Sequence, residues 1–111
     1  MQTRVIPRMK IYRWNPDTDG PLSEAALINR LEALGYKCTR YIYPAGTYFP
    51  DHDHVVDKID AIVQGNFKIT MHGESVILTR GSYVEVPKHT IHSAEVIGNE
   101  VVISIDAIRQ N

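Results

Sequence analysis

His52 and His54 stand two residues apart in the stretch Asp51-His-Asp-His-Val-Val-Asp57-Lys58-Ile-Asp60, and His92 closes a second stretch, Pro87-Lys-His-Thr-Ile-His92. The first stretch reads as strand, and side chains at i and i+2 of a strand share a face. Two imidazoles on one face, met by a third from a distant strand, would make a metal site in a β-barrel. Neutral imidazole suits zinc, nickel, copper and iron, and three such ligands leave positions open for water or substrate. Ligand type alone does not select the ion.

Lys58 and Asp60 keep the parity of the two histidines, so they are expected on the same face. An ammonium cannot ligate while protonated and repels a divalent cation. Burying it unpaired is costly. Three roles for Lys58 follow. It can pair with Asp60 or Asp57, hold the carboxylate or enolate oxygen of an anionic substrate, or act as a general base with a depressed pKa. Asp60 is either that ion-pair partner or a carboxylate ligand, and a strand bulge would bring Asp57 inward instead. His89 lies on the turn before His92, where it either meets substrate at the barrel mouth or stands in solvent. Phe67, Ile69 and Met71 alternate toward a core, so His72 should face out. Tyr48, Phe49, Ile103 and Ile105 are further candidates for an apolar pocket wall.

The elements that must position these residues are mostly strands. Residues 5–14 suggest an N-terminal strand, and Asn15-Pro-Asp-Thr-Asp-Gly-Pro21 is a cluster of turn formers. Ser23 then opens the one helical pattern, with Ala26, Leu27, Leu31 and Leu34 on a stripe, Ser23 as N-cap and Gly35 as the left-handed stop. From Tyr36 the spacing predicts seven strands, at 37–43, 54–64, 67–72, 75–79, 82–86, 91–97 and 100–108, each closed by a turn signal. Short strands at such intervals indicate an all-β sandwich or barrel, and the helices of a parallel α/β sheet are missing.

The spacing resembles the cupin superfamily. In its first motif Gly46, His52, His54 and Gly65 fall in register, and in its second Gly81, Pro87 and His92 do. Lys58 stands where the family usually has glutamate, His89 where it has glycine, and Val96 where it has asparagine. The resemblance implies an antiparallel jelly-roll (double-stranded β-helix) barrel over about 36–109, with the N-terminal strand and short α-helix at 5–35 completing a single domain of residues 1–111. It implies a three-His sphere of His52, His54 and His92, similar to the thiol-oxidising branch, holding one divalent transition metal (Fe, Ni, Zn, Mn or Cu). It also suggests a homodimer, with the strand around Lys10–Trp14 as an edge or exchanged strand, and a helix packed on the outer barrel face.

Composition narrows the classes. A net charge of −1 with no basic block argues against nucleic acid. No apolar run approaches the roughly 20 residues of a membrane helix. The N-terminus shows no apolar leader, and a single cysteine, Cys38, excludes an intrachain disulfide, so a cytoplasmic protein is expected. Three functions remain. The first is a metal-dependent dioxygenase or isomerase acting on a small anionic organic molecule, with Lys58 on the substrate. The second is a non-catalytic sensory barrel that binds a small molecule, and the third is a metal-free structural barrel.

Overall fold

The computed structural model describes residues 9–110. Among them are β1 (Ile11–Arg13), α1 (Pro16–Asp19), α2 (Glu24–Ala33), β2 (Tyr36–Tyr43), β3 (Tyr48–His52), β4 (Lys58–Gln64), β5 (Asn66–Met71), β6 (Glu74–Leu78), β7 (Ser82–Val86), β8 (His92–Ile97) and β9 (Val102–Arg109). A five-stranded sheet runs β1-β7-β4-β9-β2 and a four-stranded sheet runs β3-β8-β5-β6. Every pairing is antiparallel. The all-β jelly-roll expectation holds. The expected strand positions 5–8 lie outside the described residues.

Alternation divides the core in two. Ile62, Val84, Val86 and Val102 of the larger sheet meet Phe67, Ile69, Met71, Leu78, Ala94 and Val96 of the smaller one inside the barrel. On the other face of the larger sheet, Leu27 and Leu31 of α2 cover Tyr36, Ile59, Ala61, Tyr83, Ile105 and Ala107. β4 is therefore buried on both faces, which explains its nearly continuous apolar run. Ile105 belongs to the outer layer, and Ile103 shares its parity, so neither lines the interior as expected. The inward positions of β9 are Val102, Ser104 and Asp106.

Helix α2 has the expected caps. Ser23 Oγ accepts from the Ala26 amide at 3.0 Å, and Gly35 takes φ 95°. The turn cluster after β1 forms a helical turn of its own, α1, which the sequence reading treats as loop. Pro16 opens it with a preset φ, and Asn15 Oδ1 accepts from Asp17 N at 3.0 Å. Gly65 is required by space as well as by its φ of 87°, because a Cβ there would lie 2.5 Å from the Val101 carbonyl oxygen.

Two differences from the expected strands go beyond a residue or two at an end. β3 is absent from the sequence reading, and it contains Pro50, a residue that strand interiors disfavour. It survives as an edge strand of its sheet, with a register shift between Phe49 and His52 that accommodates the proline. The strand expected over 54–64 begins at Lys58, and residues 53–57 are loop. Aspartates at 53 and 57 are poor strand residues, and Val55, 79% exposed, has no core to pack on. His52 and His54 are thus not partners on one strand.

Candidate metal centre

His52 ends β3 and His92 begins β8, and the two are register partners across that strand pair. His54 arrives from the 53–57 loop. The ligand atoms of the three rings all lie within 4.8 Å of one another. Ring centroids are 4.2 Å apart for His52–His92, 5.0 Å for His52–His54 and 5.2 Å for His54–His92. The structure brings together the three histidines that the sequence reading named, but not through one strand face: a bulged edge strand and a loop bring His52 and His54 together.

The hydrogen bonds orient the rings. His52 Nδ1 lies 2.7 Å from the Pro50 carbonyl oxygen, and His92 Nδ1 lies 2.9 Å from that of Thr90. A carbonyl only accepts, so each Nδ1 carries the proton and each Nε2 presents its lone pair. His54 Nε2 is buried with no hydrogen-bond partner. A buried orphan nitrogen costs about 1–3 kcal/mol unless something occupies it. Burial, and after it nearby Lys58 and the other rings, holds the His54 imidazolium pKa below its ordinary value. Burial is also the first cause of the lowering at His92. Neutral rings are the form that ligates. This donor set fits a transition-metal ion.

The rings form one end of a cavity of about 240 Å³ lined also by Tyr43, Phe49, Lys58, Asp60, Phe67, Ala94 and Asp106. Tyr43, Phe49 and Phe67 pack together as an aromatic wall, with centroids 4.9 to 6.2 Å apart. Burial drives the Tyr43 phenol well above its usual range, so it stays a neutral hydroxyl. A larger groove of about 560 Å³ lies on the outer face beside α2, lined by Tyr12, Tyr36 and Tyr83 among others. No histidine lines it, so convergent ligand atoms, not volume, mark the centre.

Opposite the aromatic wall is a charged floor. Lys58 Nζ lies 2.8 Å from Asp106 Oδ1 and 4.0 Å from Asp60 Oδ1. The closer contact is an ion pair by distance, since Asp106 Oδ1 receives no aligned hydrogen bond. Asp60 and Asp106 face each other in register on β4 and β9. Like charges so placed repel, and Lys58 bridges them. Burial lifts the Asp60 carboxyl to about 6, against the pull of Lys58 and with the push of Asp106.

Of the expected partners of Lys58, Asp60 is one, at 4.0 Å, but Asp106 is the nearer, and Asp57 is none: it accepts from the Lys88 amide at 2.8 Å. Neither carboxylate joins the three-ring cluster. Asp106 was missed, although its parity with Val102 and Ser104 in an otherwise apolar strand was the available signal. His89 is exposed at φ 62° in a position the family gives to glycine. Its amide donates to the His54 carbonyl at 2.7 Å, while its ring is not part of the cavity lining. His72 is exposed in the β5–β6 turn, as expected.

The model of the cupin domain matches residues 39–108. No curated protein matches the chain in sequence. Among solved structures, KdgF from Halomonas sp. is similar at 23% identity and TM-score 0.60, covering 69% of this chain and 72% of that one. An RmlC-like cupin from Shewanella frigidimarina gives 24% identity and TM-score 0.59, over 67% of this chain and 65% of its own. A cupin superfamily protein from Desulfitobacterium hafniense aligns over 100% of this chain and 84% of its own, at 14% identity and TM-score 0.61. At these identities the structures speak for the fold alone. With most of its barrel matched by the family model, this chain belongs to the cupin domain family.

Proposed function

We infer that this protein holds one divalent transition metal through His52, His54 and His92 and binds a small organic anion beside it. The observation that carries this reading is the set of three imidazole nitrogens within 4.8 Å of one another. Two of the rings are fixed by backbone carbonyls, and His54 Nε2 is buried without a partner. When bound, iron, nickel, zinc, manganese or copper would supply Lewis acidity, or for the redox-active metals oxygen activation.

The chain's own residues have separable tasks. Tyr43, Phe49 and Phe67 exclude water and limit the ligand to a few heavy atoms. Lys58, only 9% exposed, supplies positive charge at the floor. A lysine base would need apolar surroundings, and Lys58 lies against two carboxylates instead, which supports the charge-holding role. Dioxygenase or isomerase chemistry on the anion is the catalytic form of this reading.

The test is binding of small carboxylates to metal-loaded protein, followed by product analysis with and without oxygen. Lys58→Met should keep the metal and weaken carboxylate binding by roughly tenfold or more. Unchanged binding in that variant would remove Lys58 from ligand recognition. Binding without consumption of any ligand assigns the non-catalytic form.

A further inference from the structure

We propose that the Lys58–Asp60–Asp106 cluster makes anion binding conditional on the metal and sets the site for a monoanion, such as a monocarboxylate or its enolate, rather than a dianion. The inference rests on the metal-site reading above and adds the charge class of the ligand. The charged side chains lining the cavity, apart from the imidazoles, are Lys58, Asp60 and Asp106. One cation against two carboxylates leaves one negative charge beside the three rings. A small anion entering the metal-free cavity therefore meets net negative walls. A divalent ion turns that balance to one positive charge, which a single carboxylate completes and a dicarboxylate overshoots.

The placement of the cluster makes the charge count matter. Lys58 and Asp60 are buried to within 9% of full burial, so solvent screens them little. At an effective dielectric near 20, one unit charge several ångströms away changes anion affinity by roughly one to two orders of magnitude. The two aspartates are register partners that only the bridging lysine reconciles. Asp60→Asn removes the repulsion, leaves the shorter Lys58–Asp106 pair intact, and so folds while raising the cavity charge by one.

The test uses full-length protein loaded with cobalt(II) at about pH 8, where Asp60 is ionised. Visible absorption and calorimetry follow titrations with propionate and with malonate, which differ by one charge. The readout is the ratio of the two affinities compared between variants, which cancels any intrinsic advantage of a chelating dicarboxylate. Asp60→Asn should move the ratio roughly tenfold or more toward malonate. Metal-free wild type should bind neither anion.

Cobalt bound by the histidines with a ratio that Asp60→Asn does not move would overturn this inference alone. Equal propionate affinity with and without cobalt would do the same. Failure of the three histidines to bind cobalt would overturn the metal-site reading on which it rests.

Discussion

Asp60 carries the clearest cost in the site. Its carboxyl titrates near about 6 in the folded protein against 3.8 for the free side chain, with burial as the main cause. Below the lower value both states are protonated, and Asp60 contributes nothing to the pH dependence. Between the two, the folded state binds the extra proton and stability falls as pH rises. Above about 6 the cost is complete, at most about 3 kcal/mol. His54 and His92 act in the opposite sense. Their lowered values mean that stability is lost as pH falls below the ordinary histidine value of 6.5. For metal-free protein, Asp60→Asn should therefore raise stability to denaturant by about 1–3 kcal/mol at pH 8, and the gain should shrink as pH falls below about 6 and vanish below about pH 4. A gain that is constant across that range would remove the ionisation cost assigned to Asp60. At this scale the sequence was informative where a motif fixes spacing, as at His52, His54 and His92. It offered only the strand parity of Asp106 with Val102 and Ser104, because the pairing of β4 with β9 that brings it to Lys58 is a long-range contact with no local signature.

Two loops carry the centre, and backbone bonds tie them together. The His89 amide donates to the His54 carbonyl at 2.7 Å, and the Lys88 amide donates to Asp57 Oδ1 at 2.8 Å. The Asp57 carbonyl accepts from Arg109 N at 2.9 Å, which anchors the 53–57 loop to the end of β9. The spacing between His54 and His92 thus depends on Asp57, a residue outside the ligand cluster. Asp57→Ala should weaken metal affinity roughly tenfold, in the range of outer-shell partners, while Asp57→Asn, which keeps an acceptor, restores most of it. Competition with a chromophoric chelator reads both, and equal affinities in all three proteins would disconnect Asp57 from the site. Element boundaries failed for related reasons. β-Branched Val55 and Val56 imitate a strand start, whereas the hydrogen bonds of Asp57 hold that segment as loop. Pro50 imitates a strand break, but an edge position with a register shift needs no donor there.

At the scale of the molecule, the larger sheet separates two apolar layers, and the three-histidine cluster lies at the end of the inner one. Helix α2 closes the outer layer through Leu27 and Leu31, both fully buried. The all-β class and that helix were legible because their signals are periodic and long. The sorting of β9 into inner and outer faces was not, since Ile103, Ile105 and Ala107 are as apolar as an inner face requires while the true inner face carries Ser104 and Asp106. The measurement to make first is the metal content per chain of protein purified without affinity tag or chelator, alongside the His52→Ala/His54→Ala double variant. About one transition-metal ion per chain, lost in the double variant, is expected. A chain that takes up no ion, even after reconstitution with iron, nickel, zinc, manganese and copper, would show that these histidines serve another purpose.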